Sequence, residues 1–158
     1  MSIGSFASSL PALSEVVIAE IGNQFFGFET ASIKSIVELP PDDPRLLIEP
    51  YLGSFSYQDG KIPLLQLADF FSLPSPKRNG KVYVLVMSYP DSPLFGVLVC
   101  KVLGKLRAQT ICPLPQEAFQ YAYLYKYAFE FNGSYLLLID AYQALHYVTE
   151  YIHSLGNL

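Results

Sequence analysis

The sequence predicts a mostly β fold in which two small β-barrels pack against each other, with short helices that include a C-terminal one. Short runs of apolar, β-branched and aromatic residues, many alternating with polar ones, are separated by glycine and proline turn signals. Hydrophobic residues make up 51% of the 158 residues and charged residues only 15%. Because charged residues usually make up about 25% of a chain, this composition requires a substantial buried core and excludes a chain that is disordered as a whole.

Five segments of the first half have the length and alternation of strands. They are Val16–Ile21, Phe25–Thr30, Ser32–Leu39, Tyr51–Tyr57 and Ile62–Leu67. Gly22-Asn23 and Asp59-Gly60 tolerate a positive φ and therefore predict tight hairpin turns. The prolines between residues 40 and 44 predict a stiff surface loop. Ala68–Leu73 predicts a short helical turn.

The second half contains five more predicted strands and a helix. The strands are Val82–Ser88, Leu94–Val99, Val102–Ala108, Tyr121–Phe131 and Tyr135–Ile139. Val82–Ser88 is continuously apolar, which indicates a strand buried on both faces. Apolar residues at helical spacing predict a helix over Tyr142–His153. Asp140 precedes this helix and is expected to cap it by accepting hydrogen bonds from free amides.

The two halves repeat the same series of sequence features. The matched positions are Gly27 and Gly96, Tyr51-Leu52 and Tyr123-Leu124, Gly60 and Gly133, and Leu64-Leu65 and Leu136-Leu137-Leu138. One unit of about 70 residues would bury only a modest core. Packing two units together removes more apolar surface from water, at about 25 cal/mol per Å². We therefore expect two similar barrels that share a core.

A polar break at residues 77–81 is the expected internal boundary. It divides a single domain over 15–153 into subdomains of about 15–80 and 81–153, with an exchange of terminal segments left open. Residues 1–14 are expected to form a flexible N-terminus. They contain no lysine or arginine, so they do not resemble a signal peptide.

Charge and hydropathy narrow the classes of partner. The chain has 10 basic and 14 acidic residues and a net charge of −4, which disfavours binding to nucleic acid or an anionic membrane. Its uninterrupted apolar runs are all shorter than the length needed to span a bilayer, which is about 18–20 residues. Two cysteines cannot form a disulfide framework and suggest a reducing compartment. The sequence therefore predicts a cytoplasmic protein without membrane insertion.

Residues that could carry catalysis or hold a metal are scarce. His146 and His153 have no acid or thiol that completes a convincing ligand set. Cys100 and Cys112 lack the short paired spacing of a zinc site and are expected to be buried thiols. The sequence has no phosphate-binding glycine loop of the Walker type. We expect no enzyme activity, catalytic residue, cofactor or metal.

Seven aromatic residues occupy consecutive odd positions and would share one side of an extended strand. They are Phe119, Tyr121, Tyr123, Tyr125, Tyr127, Phe129 and Phe131. One interpretation is a core face with cross-strand aromatic pairs. In a second, Tyr121, Tyr123 or Tyr125 anchors a partner. A third, a small β-barrel that binds a ligand or single-stranded nucleic acid, requires a cationic groove, and Lys126 is the one basic residue here.

Four stretches carry a resemblance to a known family. Residues 51–67 read YLGSFSYQDGKIPLLQL, residues 95–105 read FGVLVCKVLGK, residues 137–140 read LLID, and residues 26–29 read FGFE. In order and spacing they resemble the CheW-like domain, and the resemblance extends from Val16 to Val148. That family comprises the coupling proteins of bacterial chemosensory arrays and the regulatory ends of their histidine kinases.

The resemblance implies two SH3-like five-stranded barrels and an adaptor without catalysis. Family members bind the tip of a receptor's cytoplasmic hairpin and dock on the regulatory domain of a histidine kinase. The positions in this chain that match the family's contact positions are Ile33, Ser35, Ile36, Leu52, Gly53, Phe55 and Gln58. The alternative is that the apolar residues of this set only fill a barrel, and that a bulge or bend requires the glycine at position 53. Flagellar chemotaxis, pilus-driven twitching and phototaxis stay open as pathways, as does a module that caps array sites without coupling.

Departures from the family pattern identify a divergent member. Ser35 and Gln58 stand where members commonly carry a glutamate and an arginine that pair across the first barrel. Cys100 replaces an aspartate, and Lys126 stands where a glycine is expected. If Gly53 lies in a receptor groove, Gly53→Arg should abolish receptor binding and leave the thermal midpoint nearly unchanged.

Overall fold

The computed structural model describes residues 15–74, 80–108, 111–113, 124 and 127–156, and in these ranges the chain forms twelve strands and two α-helices. The strands are β1 (Glu15–Ile21), β2 (Gln24–Glu29), β3 (Ile33–Leu39), β4 (Leu46–Leu47), β5 (Leu52–Tyr57), β6 (Gly60–Leu65), β7 (Val82–Met87), β8 (Phe95–Val99), β9 (Lys101–Arg107), β10 (Ile111–Pro113), β11 (Tyr127–Phe131) and β12 (Ser134–Leu138). The helices are α1 (Leu67–Phe70) and α2 (Ala141–Gly156), and a 3₁₀ turn covers Thr30–Ser32. The predicted mostly β fold is confirmed.

The strands form two six-stranded sheets. The first sheet has the order β3-β7-β8-β6-β5-β4, and the second has the order β10-β11-β12-β2-β1-β9. Each sheet therefore has one strand more than the five expected for an SH3-like barrel. The shortest strand of each sheet, β4 in the first and β10 in the second, lies at a sheet edge.

The sheets do not divide the chain at residue 80. The β1–β2 hairpin belongs to the second sheet, and the β7–β8 hairpin belongs to the first. A short parallel pairing joins each hairpin to the sheet that it belongs to. Leu64 of β6 lies opposite Gly96 of β8, and Leu138 of β12 lies opposite Gly27 of β2. Each half of the chain therefore contributes its first hairpin to the sheet of the other half, and the repeated glycines and leucines meet across the halves.

Three apolar clusters fill the two barrels and the space between them. The first-barrel core includes Phe55 and Leu39, and the second-barrel core includes Ile18 and Phe129. A third cluster, the shared core, lies between the barrels and includes Phe28 from the second sheet. The expectation of two SH3-like barrels packed together is thereby confirmed.

Strand β7 shows how one strand serves two cores. Val84 and Val86 pack into the first-barrel core, whereas Leu85 and Met87 pack into the shared core. Successive side chains of a strand point to opposite faces, so a strand between two cores must be apolar at nearly every position. This arrangement explains the uninterrupted apolar run in the sequence.

Helix α2 covers the shared core. Its buried face is formed by Ala141, Ala144 and Val148. The amide nitrogen of Gln143 donates a hydrogen bond of 3.1 Å to Oδ1 of Asp140, as expected for a helix cap. In the described part of the chain, no helix has the length and hydrophobicity to span a membrane.

Candidate functional site

The most exposed of the predicted docking residues lie on strand β3 and in the turn that follows β5. Ser35 Oγ lies 3.0 Å from the hydroxyl oxygen of Tyr57. The ammonium group of Lys34 lies 6.0 Å from the centre of the Tyr57 ring, at the outer limit for a cation–π contact. Gln58 is exposed in the following turn, with a φ of 54°. Tyr57, which sequence reasoning missed, is therefore a hydrogen-bond partner of Ser35.

The outward side chains of β3 are Lys34, Ile36 and Glu38, and we call them the β3 face. Ile36 is 39% exposed, although it lies in a strand that pairs with β7. Glu38 accepts hydrogen bonds from the Tyr83 hydroxyl at 3.0 Å and from Lys81 Nζ at 3.3 Å. The hydrogen bond from Tyr83 is the largest cause of a lowered pKa of the Glu38 carboxyl, followed by Lys81. The β3 face is thus an exposed apolar residue between charged neighbours.

Three other predicted docking residues contribute to cores. Phe55 is 1% exposed and belongs to the first-barrel core. Ile33 and Leu52 are half-buried and pack against the shared core. Phe55 therefore agrees with the alternative that these apolar residues fill a barrel, since its side chain has almost no exposed surface. The half-buried Ile33 and Leu52 are also less accessible than Ile36.

Gly53 lies where the chain approaches its own backbone. A Cβ atom built there would collide with the carbonyl oxygen of Leu47 and lie 3.0 Å from the amide nitrogen of Glu49. The segment that packs closely against the backbone of Gly53 is therefore residues 47–49 of the same chain. The expectation that Gly53→Arg leaves the thermal midpoint nearly unchanged does not hold in this geometry.

The segment that covers Gly53 exposes apolar side chains that the sequence analysis did not select. Leu47 is 52% exposed and Ile48 is 38% exposed. They follow Leu46, which packs against the first-barrel core. The sequence feature that could have indicated them is the apolar run Leu46-Leu47-Ile48, which lies in a segment bounded by prolines.

The described part of the aromatic strand belongs to a barrel. Phe129 is fully buried in the second-barrel core, and Tyr127 and Phe131 pack against the same core. This placement agrees with the core interpretation for the end of the stretch. Tyr121, Tyr123 and Tyr125 lie outside the described residues.

Titratable side chains do not form a metal-binding group in the described ranges: no three or more histidine, cysteine, aspartate or glutamate residues are arranged to hold an ion. Cys100 and Cys112 are half-buried free thiols. Burial is the largest cause of a raised pKa of the Cys100 thiol, which favours its protonated form.

Comparisons with known proteins agree with this architecture. A model of the CheW-like domain matches residues 15–148. The crystal structure of the scaffolding protein TtCheW from Thermoanaerobacter tengcongensis is similar, with a TM-score of 0.63 and 13% sequence identity over 80% of this chain and 88% of that one. No curated protein sequence matches the chain. Because the family match covers most of its length, the chain belongs to the CheW-like domain family.

Proposed function

We propose that this protein is a non-enzymatic adaptor that couples methyl-accepting receptors to a CheA-type histidine kinase in the cytoplasm. Membership of the CheW-like domain family supports a scaffolding role. The pathway is chemotaxis, twitching or phototaxis. In this proposal the protein transmits a signal by holding the receptor tip and the regulatory domain of the kinase at a set distance and orientation.

The observation that carries the proposal is the β3 face. Ile36 is 39% exposed on a paired strand of a packed barrel, so its position is fixed before any partner arrives. Ordering a flexible anchor on binding costs free energy, whereas a preorganised one avoids most of that cost. We assign Ile36 as the central apolar contact with the regulatory domain of the kinase.

The neutral contact between Ser35 and Tyr57 points to the character of the interface. Family members commonly have a charged pair at the positions of Ser35 and Gln58, whereas in this chain the Ser35 hydroxyl lies 3.0 Å from the Tyr57 hydroxyl. Charge–charge contacts between exposed groups are weakened by salt, whereas apolar contacts are not. We therefore propose docking that depends mainly on apolar contact and changes little with ionic strength.

Substitution of Ile36 tests the assignment. Ile36→Lys should weaken binding to the regulatory domain of the cognate kinase by about tenfold, equivalent to about 1.4 kcal/mol. Leu155→Lys is the matched control because Leu155 is 45% exposed near the end of α2, on another element. The affinity of both variants can be measured by titration calorimetry at two salt concentrations.

The same preparation distinguishes the adaptor from the alternative function. Unchanged kinase binding by Ile36→Lys would remove the β3 face from the interface. Binding to single-stranded oligonucleotides in a gel-shift assay at moderate salt, together with no binding to kinase or receptor, would overturn the adaptor proposal. Thermal unfolding of each variant checks that a loss of binding is not a loss of fold.

A further inference from the structure

Strand β9 is a basic edge strand with an exposed leucine near its centre. It lies at the end of the second sheet, and its pairing partner among the described strands is β1. Lys101, Lys105 and Arg107 are exposed, although the chain as a whole has a net charge of −4. Leu103 lies between these cations and is 44% exposed. We call Lys101, Leu103, Lys105 and Arg107 the β9 face.

A β-bulge at Leu103 accounts for the exposure of this leucine. Ile18 of β1 lies opposite Gly104, and Ala19 lies opposite Val102, so Leu103 is an extra residue between two paired positions. Val102 packs against the shared core. A Cβ atom built at Gly104 would have no atom within 4 Å apart from its chain neighbours, so the surface beside the bulge is open.

The cations of the β9 face are largely unpaired. Lys105 Nζ lies 4.0 Å from Oε1 of Glu15, in a long ion pair between exposed side chains. In the described ranges, no carboxylate lies within 4.0 Å of Lys101 or Arg107. Charged side chains on an edge strand prevent unwanted strand pairing. That role does not require an exposed leucine among them, whereas an apolar centre inside a polar rim is typical of protein interfaces.

The first barrel carries exposed apolar side chains with charges of the opposite sign. Leu47 is 52% exposed and Ile48 is 38% exposed, and they lie at the end of β4, the edge strand of the first sheet. Glu49 follows them and is exposed. Asp42 is also exposed and borders the same depression as Ile48 and Glu49. We call Asp42, Leu47, Ile48 and Glu49 the β4 face.

Local contacts hold the β4 face in place. Arg45 donates from Nε and Nη2 to the two carboxylate oxygens of Asp43, at 3.0 and 3.1 Å, so the charge of this arginine is offset locally. The Arg45 carbonyl accepts a hydrogen bond of 2.9 Å from the Ser56 amide, which ties the segment to β5. Because Gly53 has no side chain, the backbone of residues 47–49 lies directly on β5. A preorganised face loses little conformational freedom when a partner binds.

We propose that the protein associates with itself by docking the β9 face of one copy on the β4 face of the next. Leu103 would pack against Leu47 and Ile48, with the cations of one face close to the carboxylates of the other. The two faces are complementary in charge, whereas each face repels a second copy of itself. Because the faces lie on different barrels, the contact is heterologous, and each assembly keeps a free face at either end for a further copy. This association does not depend on the adaptor function.

Sedimentation velocity of the full chain at rising protein concentration tests the proposal. At low salt the mean sedimentation coefficient should rise reversibly beyond that of a dimer, because a heterologous contact does not close at two copies. The apolar centre of the contact is small, so we expect weak association. At about 1 M salt, where the Debye length is about 3 Å, the association constant should fall by about tenfold or more.

Two charge reversals, one on each face, provide the decisive measurement. Lys105→Glu and Glu49→Lys should each lower the self-association constant by about tenfold or more, because like charges then meet across the contact. An equimolar mixture of the two variants should associate again, since the intact β4 face of the first can dock on the intact β9 face of the second. Lys61→Glu and Asp59→Lys are matched controls at exposed positions outside both faces, and they should associate like the unmodified protein.

Several results would overturn the proposal. They are a sedimentation coefficient that is independent of concentration, assembly that stops at a dimer, association that strengthens with salt, equal weakening by the control variants, and no association in the mixture. Recovery in the mixture also shows that the single variants are folded. These measurements use the protein alone, so their failure is distinct from a failure of kinase binding by the adaptor.

Discussion

The hydroxyl groups of Ser35 and Tyr57 lie 3.0 Å apart and connect strands that are not paired through their backbones. Ser35 is on β3, at one edge of the first sheet, and Tyr57 is on β5, one strand in from the other edge. The sheet therefore curls until its two ends meet, and this contact is part of the closure. The ring of Tyr57 also packs against the first-barrel core and contacts Phe55.

Removal of this contact should weaken the first barrel. Ser35→Ala and Tyr57→Phe should each lower the free energy of unfolding by about 0.5–1.5 kcal/mol, the usual net contribution of one hydrogen bond. The double variant should lose less than the sum of the two single variants because both remove the same interaction. Urea denaturation of the four proteins measures the coupling. Strictly additive losses would show that the two hydroxyls do not interact.

An added methyl group should destabilise the fold at Gly53 and be tolerated at Gly60. Gly53→Ala places a Cβ atom against the carbonyl oxygen of Leu47, and such overpacking costs about 1–3 kcal/mol or more. Gly60→Ala is the control because no atom lies within 4 Å of a Cβ atom at that position. Midpoints of urea denaturation would compare the two. Equal stabilities would indicate that the 47–49 segment does not rest on β5.

The alternation of apolar and polar residues predicted the strands well, but it could not predict which barrel receives them. The hairpins β1–β2 and β7–β8 have the same local pattern whichever sheet they join. Their destination depends on pairing between distant residues, such as Leu64 with Gly96 and Leu138 with Gly27. The sequence showed that these leucines and glycines recur, and it could not show that they pair between halves.

The predicted docking residues show a similar limit. Alternation alone places Ile33, Ser35 and Val37 on one side of β3 and Ile36 on the other, and it does not say which side is outside. Burial settles that point, since Ile36 is exposed and Val37 packs against the first-barrel core. Family position alone left two roles open for Phe55, partner contact or barrel filling, and its burial in the first-barrel core agrees with the second.

Asp140 should contribute to stability as the cap of α2. Its Oδ1 accepts a hydrogen bond of 3.1 Å from the Gln143 amide, one of the helical amides without an intrahelical partner. Asp140→Ala should lower the free energy of unfolding by about 1 kcal/mol. Asp140→Asn retains an equivalent acceptor and should lose much less. Urea denaturation measures the free energy of unfolding of both variants. A similar decrease in both would indicate that the capping hydrogen bond does not cause the loss of stability.

Glu29 should make stability depend on pH. Burial, and secondarily the nearby Asp140, raises the pKa of the Glu29 carboxyl above its ordinary value of 4.5. The folded protein therefore holds this proton more tightly than the unfolded chain does. The stability that Glu29 contributes is fully present below pH 4.5 and is lost as the pH rises through the raised pKa.

The variant Glu29→Gln preserves the shape of the side chain and removes its ionisation. We expect it to unfold at a higher temperature than the unmodified protein at pH 7, and this gain should shrink as the pH is lowered toward 4. Glu38→Gln should show the opposite sign because the hydrogen bond from Tyr83 lowers the pKa of Glu38, whose contribution is lost in acid. Thermal midpoints from pH 4 to 8 measure both trends. A Glu29→Gln gain that is constant over this range would contradict the raised pKa.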